Sequence, residues 1–355
     1  MDHNRPPLVS IIVPCRNEIR HISRFLNSLH RQDLNSCDLE VLIADGMSDD
    51  GTREVLAHHQ QSNPAVRIVS NPEQIVSTGL NRAIREANGE IIIRMDVHTE
   101  YASDYVRQCV EVLSATGADN VGGPALTRAE GLLAQAIAIA YHTRFACGGA
   151  KFHNPKFEGY VDTVTYGCWH KSTFDRIGLF DEALDRNQDD ELNLRLVRAG
   201  GKIWQSSKIV SWYWPRAALS PLFRQYLQYG FWKVPVIRKH RTPASWRHLV
   251  PVAFVLSLIG LPACACCSAV AGSSLLASTF LMLWLGLLGL YTVVALGVSF
   301  FTARRNRWRL LPILPIVFAT YHLSYGLGFL LGCVRGLGNE DSASPIWKLL
   351  TDITH

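Results

Sequence analysis

"EIIIRMDVHTE" (90–100) is the stretch on which the fold turns. Three consecutive isoleucines make a short, continuously apolar run. Such a run reads as a strand buried on both faces, because a half-exposed strand would alternate apolar with polar residues. The strand empties into an acidic loop in which Asp96 is followed two residues later by His98. A carboxylate at a strand's carboxyl end, two residues before another metal-ligating side chain, suits a site for a metal and a phosphate. A strand end that merely carries Asp96 is the plainer alternative.

Working outward, the same pattern recurs on the N-terminal side. "VSIIV" (9–13), "EVLIA" (40–44) and "VRIVS" (66–70) are short β-rich apolar runs. Helix-like stretches at 18–31, 50–61, 75–88 and 103–116 separate or follow them. Apolar strands alternating with amphipathic helices predict an α/β fold with a Rossmann-like, mostly parallel sheet. Ligands of such sheets bind at the carboxyl ends of the strands. Those ends carry "PCRNE", "DGMSDDGT", "NPEQ" and "DVH", so polar residues gather on one edge. Ser48 or Asp49 is expected to cap the helix after the second strand, and Asn187 the helix of "NQDDELNLRLVRAGGKI" (187–203). An Ala-rich helix near 130–146 lies within the predicted catalytic domain, residues 1–211, and a second compact unit is expected at 161–212.

The chain has 355 residues and a net charge of +5, too weak a balance to point to nucleic acid. The N-terminus, "MDHNRPPLVS", lacks the basic-then-apolar pattern of a secretory leader, which predicts that this half stays in the cytoplasm. Nine cysteines read as reduced, small hydrophobic residues; Cys264, Cys266 and Cys267 lie inside an apolar run.

The composition then shifts. Residues 249–271, 275–301 and 310–334 contain no Asp, Glu, Lys or Arg. Each exceeds the roughly 20 residues that cross a hydrocarbon core, so three transmembrane helices are expected. "RKHR" (238–241) and "ARRNRWR" (303–309) flank them and belong on the cytoplasmic side by the positive-inside rule. The tail, 335–355, would then lie outside. Residues 212–248 are rich in Trp and Tyr and read as an amphipathic interfacial segment.

"VSIIVPCRNE", "LIADGMSDDGT", "ANGEIIIRMD", "FDEAL", "QDDELNLRLVRAGGKI" and "QYGFW" occur in an order and spacing that resembles family 2 glycosyltransferases of the GT-A fold, over about residues 8–235. The branch it looks most like is the succinoglycan ExoA-type exopolysaccharide glycosyltransferases, which also carry C-terminal membrane helices. The resemblance implies that Pro14, Arg16, Glu18, Asp45, Asn81 and Asp96 bind a nucleotide sugar, most simply UDP-linked. It implies a divalent cation, Mn2+ or Mg2+, at the family's Asp-x-Asp position. Here that position reads Asp96-Val97-His98, so Asp96 and His98 are the expected ligands, with a hydrogen-bonding loop histidine the alternative. The family's Glu-Asp at a helix start becomes Gln188-Asp189, which makes Asp189 the expected general base, ahead of Asp190. Tyr166, Gly167, Asp190, Gln228 and Trp232 fall on the implied acceptor and product side.

Two departures stand out. Phe231 replaces the Arg of a Gln-x-x-Arg-Trp box, with Lys233 nearby, and Leu80 replaces an Arg common among relatives, leaving Arg82 or Arg94 as the substitute positive charge. The implied function is an inverting, metal-dependent hexosyltransferase of the bacterial cytoplasmic membrane. It would pass a sugar, glucose in the sharpest form, to a lipid-linked saccharide for surface polysaccharide. The rivals are a processive polysaccharide synthase and a non-catalytic scaffold that binds nucleotide sugars.

Overall fold

A computed structural model describes residues 7–34, 37–124, 126–243 and 245–335. The chain divides into two units. One comprises residues up to Arg128 together with Ala150–Trp214; the other comprises Ala129–Gly149 and the chain from Pro215 onward.

The first unit begins with the expected alternation: β1 (Leu8–Cys15), α1 (Ile22–His30), β2 (Asp38–Asp45), α2 (Thr52–Ser62), β3 (Val66–Ser70), α3 (Val76–Glu86) and β4 (Ile91–Arg94). β5 (Thr99–Tyr101), α4 (Tyr105–Thr116), β6 (Asn120–Gly123) and β7 (Leu126–Thr127) follow. After the chain leaves this unit and returns come β8 (Gly159–Val161), β9 (Thr165–His170), α7 (Ser172–Ile177), α8 (Gln188–Arg198), β10 (Ile203–Gln205) and β11 (Ser211–Tyr213). The large sheet runs β3-β2-β1-β4-β9-β6-β10-β8, and a small one runs β5-β11-β7.

β3, β2, β1 and β4 are parallel, as the isoleucine and valine runs predict. β9 lies antiparallel between β4 and β6. Residues 161–212 are therefore not a second compact unit, because β9 and β10 complete the first sheet. Pairings across such sequence separations leave no local pattern to read.

Alternation along the central strands divides the core in two. Ile11, Val13, Ile43 and Ile93 pack with α1, α2 and α4 on one face. Ile12, Leu42 and Ile92 pack with α3, α7 and α8 on the other, with Trp169 and Phe174. Because side chains alternate with a period of two, Arg94 falls on the face of Ile92, the face that α8 covers.

The second unit holds α5 (Leu132–Tyr141), α6 (Arg144–Cys147), α9 (Leu219–His240), α10 (Val250–Val270), α11 (Ser274–Arg305) and α12 (Leu314–Arg335). The Ala-rich helix, read above as part of the catalytic domain, thus belongs here. Ala136, Ile137 and Ala140 pack with Leu222, Leu314, Val317, Phe318 and Tyr321. Short alanine side chains permit that close packing.

Among the described residues, three helices are long and apolar enough to cross a membrane: Trp246–Val270, Ser274–Arg305 and Leu314–Arg335. Their bounds track the three uncharged runs. Leu256, Ile259, Met282, Leu285 and Val293 are all more than half exposed, as lipid-facing side chains would be. α9, in the segment read as interfacial, packs along α12. A Cβ on Gly328 would stand 1.9 Å from the Leu227 carbonyl oxygen, and one on Gly230 would stand 2.1 Å from that of Tyr325. Only glycine allows backbones to meet this closely, the device that also joins helices in lipid. The predicted C-terminal tail falls almost wholly in 336–355, outside the described residues.

Candidate active site

The loops leaving β1 and β2 are stitched to each other. Ser48 Oγ accepts from the Asn17 N–H at 2.9 Å, Thr52 Oγ1 from the Glu18 N–H at 2.9 Å, and Asp50 Oδ2 from the Ile19 N–H at 3.1 Å. Asn17 Oδ1 accepts from the Asp49 N–H at 3.0 Å. The expected caps are corrected here. Asp50 Oδ1, not Ser48 or Asp49, receives the Thr52 N–H, at 3.0 Å. Ser48 is occupied by the neighbouring loop. Asn187 makes no side-chain cap on α8 either; it sits at φ 62°, outside the extended backbone that capping residues adopt.

Asp45, at the end of β2, is 1% exposed. Its carboxylate faces Arg53 Nε at 3.1 Å and accepts from the Ser48 N–H at 3.3 Å. The Arg16 side chain lies across Gly46, its Cβ 3.2 Å from where a Gly46 Cβ would stand. Glu18 Oε1 is 3.4 Å from His98 Nδ1, which links this pair of loops to the loop after β4.

Arg94 joins the next part. It is 5% exposed. Its Nη1 donates to Asp189 Oδ1, and its Nη2 donates to Asp96 Oδ1 at 3.3 Å. Burial works against the charge of Arg94, but Asp189 and Asp96 outweigh it, and the guanidinium is held protonated more firmly than an ordinary arginine. Burial pushes the Asp189 carboxyl above the usual aspartate range, with Arg94 opposing. Asp189 stands in the first turn of α8, on the helix face of Leu192 and Leu196, which are fully buried. Asp190 is its half-buried neighbour.

Tyr166 closes the group. Its ring centroid is 6.0 Å from the Arg94 guanidinium carbon, and its hydroxyl is hydrogen-bonded to Thr99 Oγ1. The Asp96 N–H donates to the Tyr101 hydroxyl at 2.7 Å. Tyr166 and Gly167 take φ of 61° and 119° at the start of β9, a backbone that costs a tyrosine about 1–3 kcal/mol.

Side-chain contacts, together with the chain segments 17–18 and 96–98, thus connect Asp45, through Ser48, Asn17, Glu18 and His98, to Asp96, Arg94 and Asp189. Asn81 is not in it. Its amide donates to the Phe180 carbonyl and to Glu182 Oε1, each at 2.8 Å, and accepts from the Phe180 N–H at 2.9 Å. At 1% exposure it pins the "FDEAL" loop to α3 rather than offering a free donor. Arg82, a candidate for the missing positive charge, pairs with Glu73 at 2.6 Å on the surface. Gln228, Trp232 and Lys233 lie buried on α9, in the second unit.

Sequence reasoning missed one feature of this edge. Of six non-glycine residues with positive φ among the described residues, Asn17, Met47 and Gln74 lie on the loops after β1, β2 and β3, and Tyr166 and Asn187 border Arg94 and Asp189. Strained backbone gathered at one sheet edge is a mark of a functional site. Only Asn17 and Asn187, which tolerate that region, carried a sequence hint.

Among the described residues, no group of three or more His, Cys, Asp or Glu is arranged to hold a metal ion. The residues nonetheless fit a cation completed by substrate oxygens. Asp96 supplies a carboxylate, and the Glu18–His98 contact is the carboxylate–imidazole pairing that orients metal-bound histidines. Hard divalent cations commonly take one or two protein ligands plus phosphate oxygens.

Residues 10–171 match the profile of Glycosyl transferase family 2. The succinoglycan biosynthesis protein ExoA of Rhizobium meliloti (strain 1021) is 32% identical over 323 residues, covering 90% of this chain and 93% of that one. The chain belongs to glycosyl transferase family 2.

A second relative is the dolichyl N-acetyl-alpha-D-glucosaminyl phosphate 3-beta-D-2,3-diacetamido-2,3-dideoxy-beta-D-glucuronosyltransferase of Methanococcus voltae, 27% identical over 92% of this chain and 98% of its own length. Among solved structures, the mannosyltransferase PcManGT of Pyrobaculum calidifontis, in complex with GDP-Man and Mn2+, superposes with a TM-score of 0.59 at 19% identity, over 92% of this chain and 88% of that one. That likeness shows the GT-A fold.

Proposed function

We propose that this family 2 enzyme is an inverting glycosyltransferase that moves a hexose from a nucleotide-sugar donor to a lipid-linked saccharide during surface polysaccharide assembly. In its sharpest form the donor is UDP-linked and the sugar is glucose. The observation that carries the reading is the convergence of Asp96 and Asp189 on one guanidinium, because the reaction needs one acid on the donor side and another on the acceptor side.

Asp45, Arg16 and Glu18 would receive the nucleoside, Asp45 accepting from base or ribose. A divalent cation held by Asp96 and His98 would neutralise the diphosphate as it leaves. Asp189 would accept the proton of the acceptor hydroxyl. The hydroxyl oxygen would bond to the anomeric carbon as the carbon–oxygen bond to the diphosphate breaks, so that configuration inverts in one displacement. Asp190, Tyr166 and Gly167 would stand on the acceptor side.

The Mn2+ in the mannosyltransferase complex supports the cation. The names of the two relatives, one in succinoglycan biosynthesis and one acting on a dolichyl-linked sugar, support a polysaccharide role and a lipid-borne acceptor. Three apolar helices with basic flanks support anchorage in the bacterial cytoplasmic membrane, the catalytic unit on the cytoplasmic side.

The test is nucleotide release from a panel of UDP- and GDP-sugars by the full chain in detergent, with and without Mn2+ and a native lipid extract. Release that needs the lipid extract and falls at least tenfold on chelation is expected. Donor binding with no turnover for any sugar would favour the scaffold. Product that lengthens on one acceptor would favour the processive synthase.

A further inference from the structure

Arg94 was a candidate for diphosphate contact, and its geometry assigns it elsewhere. The guanidinium sits at the end of the innermost parallel strand with two of its nitrogens on two different carboxylates, Asp189 and Asp96, and with the Tyr166 ring beside it. Its Nε is buried without a hydrogen-bond partner. A buried guanidinium costs several kcal/mol unless its charge is matched by well-placed acceptors, and the planar fork suits two carboxylates better than a point charge would. Turning outward to a diphosphate would strip both acids of their shared counter-charge at the moment when donor and acceptor must be in place.

We propose that Arg94 is a positioning residue: it fixes the Asp189 carboxylate at the head of α8 and ties it to Asp96, so that the proton acceptor and the donor-side acid are held in one register. The observations agree on this. β4 alternation points Arg94 toward α8. Asn187, at φ 62°, brings the chain into α8 two residues before Asp189. Tyr166, itself strained and bonded to Thr99, stands beside the guanidinium. Arg94 takes Asp96 Oδ1, so the other carboxylate oxygen would serve a divalent cation while the tie to Asp189 persists. The state of the donor site would thereby reach the base through a single side chain.

The inference rests on Asp189 being the base, and the variants separate the two. The full chain in detergent is assayed as Arg94→Ala, Arg94→Lys, Asp189→Asn and the Arg94→Ala/Asp189→Asn double variant. UDP and GDP affinity is measured with Mn2+, and transfer kinetics with lipid extract. Arg94→Ala is expected to lower kcat about 100-fold, the scale of a small misplacement of a catalytic group, while nucleotide affinity changes less than about threefold. Methylguanidinium is expected to restore about tenfold of that loss, which a merely structural role would not allow. Added to Asp189→Asn, Arg94→Ala is expected to cost less than about threefold more, because the two act as a unit.

Nucleotide affinity weakened about tenfold or more with kcat retained would overturn the proposal and make Arg94 a donor ligand. Transfer surviving in Asp189→Asn would overturn the base reading instead, whatever Arg94 does. If Arg94→Ala does not fold, Arg94→Lys decides. It keeps the charge but loses the fork, so a kcat loss at constant affinity supports the proposal, and unchanged kcat overturns it.

Discussion

The two units bury themselves by opposite means. In the first, the sheet is filled by branched side chains: Ile11, Ile43 and Ile93 on one face, Ile12, Leu42 and Ile92 on the other, all at most 0% exposed. In the second, α9 and α12 meet through missing side chains, with Gly230, Gly328 and Gly332 each leaving room for a carbonyl of the facing helix. The difference follows from solvent. In water, burying a large apolar side chain is itself favourable by about 1.5–3 kcal/mol. Helices already surrounded by apolar groups gain instead from close backbone approach. The first unit gathers its acids, Asp45, Asp96 and Asp189, at one edge of its sheet.

That contrast can be broken from either side. The largest expected effect is Asp189→Asn, which removes the proposed proton acceptor while leaving the fold. Turnover should fall about 10³-fold, within the range for loss of a general base, with nucleotide affinity kept. An equal loss of affinity would mean that Asp189 is holding the donor.

Gly328→Leu attacks the other packing. The side chain must displace the Leu227 backbone, and overpacking of this kind costs about 1–3 kcal/mol. A melting point lowered by several degrees in detergent, with UDP affinity unchanged, is the expected pair of results. No change in melting would deny that the glycine crossing matters.

Asn81→Ala sharpens the comparison inside the first unit. It leaves the Phe180 N–H and carbonyl without partners, at a cost of about 1–3 kcal/mol. Stability should drop in urea titration, whereas KM for the donor should not rise. A raised KM with unchanged stability would return Asn81 to the donor site.

Smaller still is Asp45→Asn, expected to weaken UDP binding about tenfold, the scale of one charged hydrogen bond. The pH profile is the mildest test. Asp189 must be ionised to accept a proton, and burial raises its pKa. The acid limb of kcat should therefore inflect above the usual aspartate range, and activity should be lost as pH falls through that point. An inflection at or below the ordinary aspartate value would contradict that upward shift.

How much of this was legible depended on how local each signal is. The parallel strands and the three apolar runs could be read because each repeats within a few residues. The place of β9 could not, since its partners Ile91–Ile93 and Asn120–Gly123 are tens of residues away. The Ala-rich helix was assigned to the wrong unit for the same reason. Alanine at helical spacing marks a buried face but not what covers it. Asn81 was read as a ligand from the family resemblance alone, and only the Phe180 and Glu182 contacts reveal its occupation. Arg94 was noticed as a charge, but not as a bridge.

The sequence alone determined the strand–helix alternation, the acids at one sheet edge, the family resemblance and three runs apolar enough to span a bilayer, because side-chain period and hydropathy act over short distances. Tertiary structure alone decided which acids meet, which amide is spoken for and which helices touch. Those outcomes depend on pairings between residues far apart in the chain, where a single buried guanidinium or an absent Cβ sets the partner.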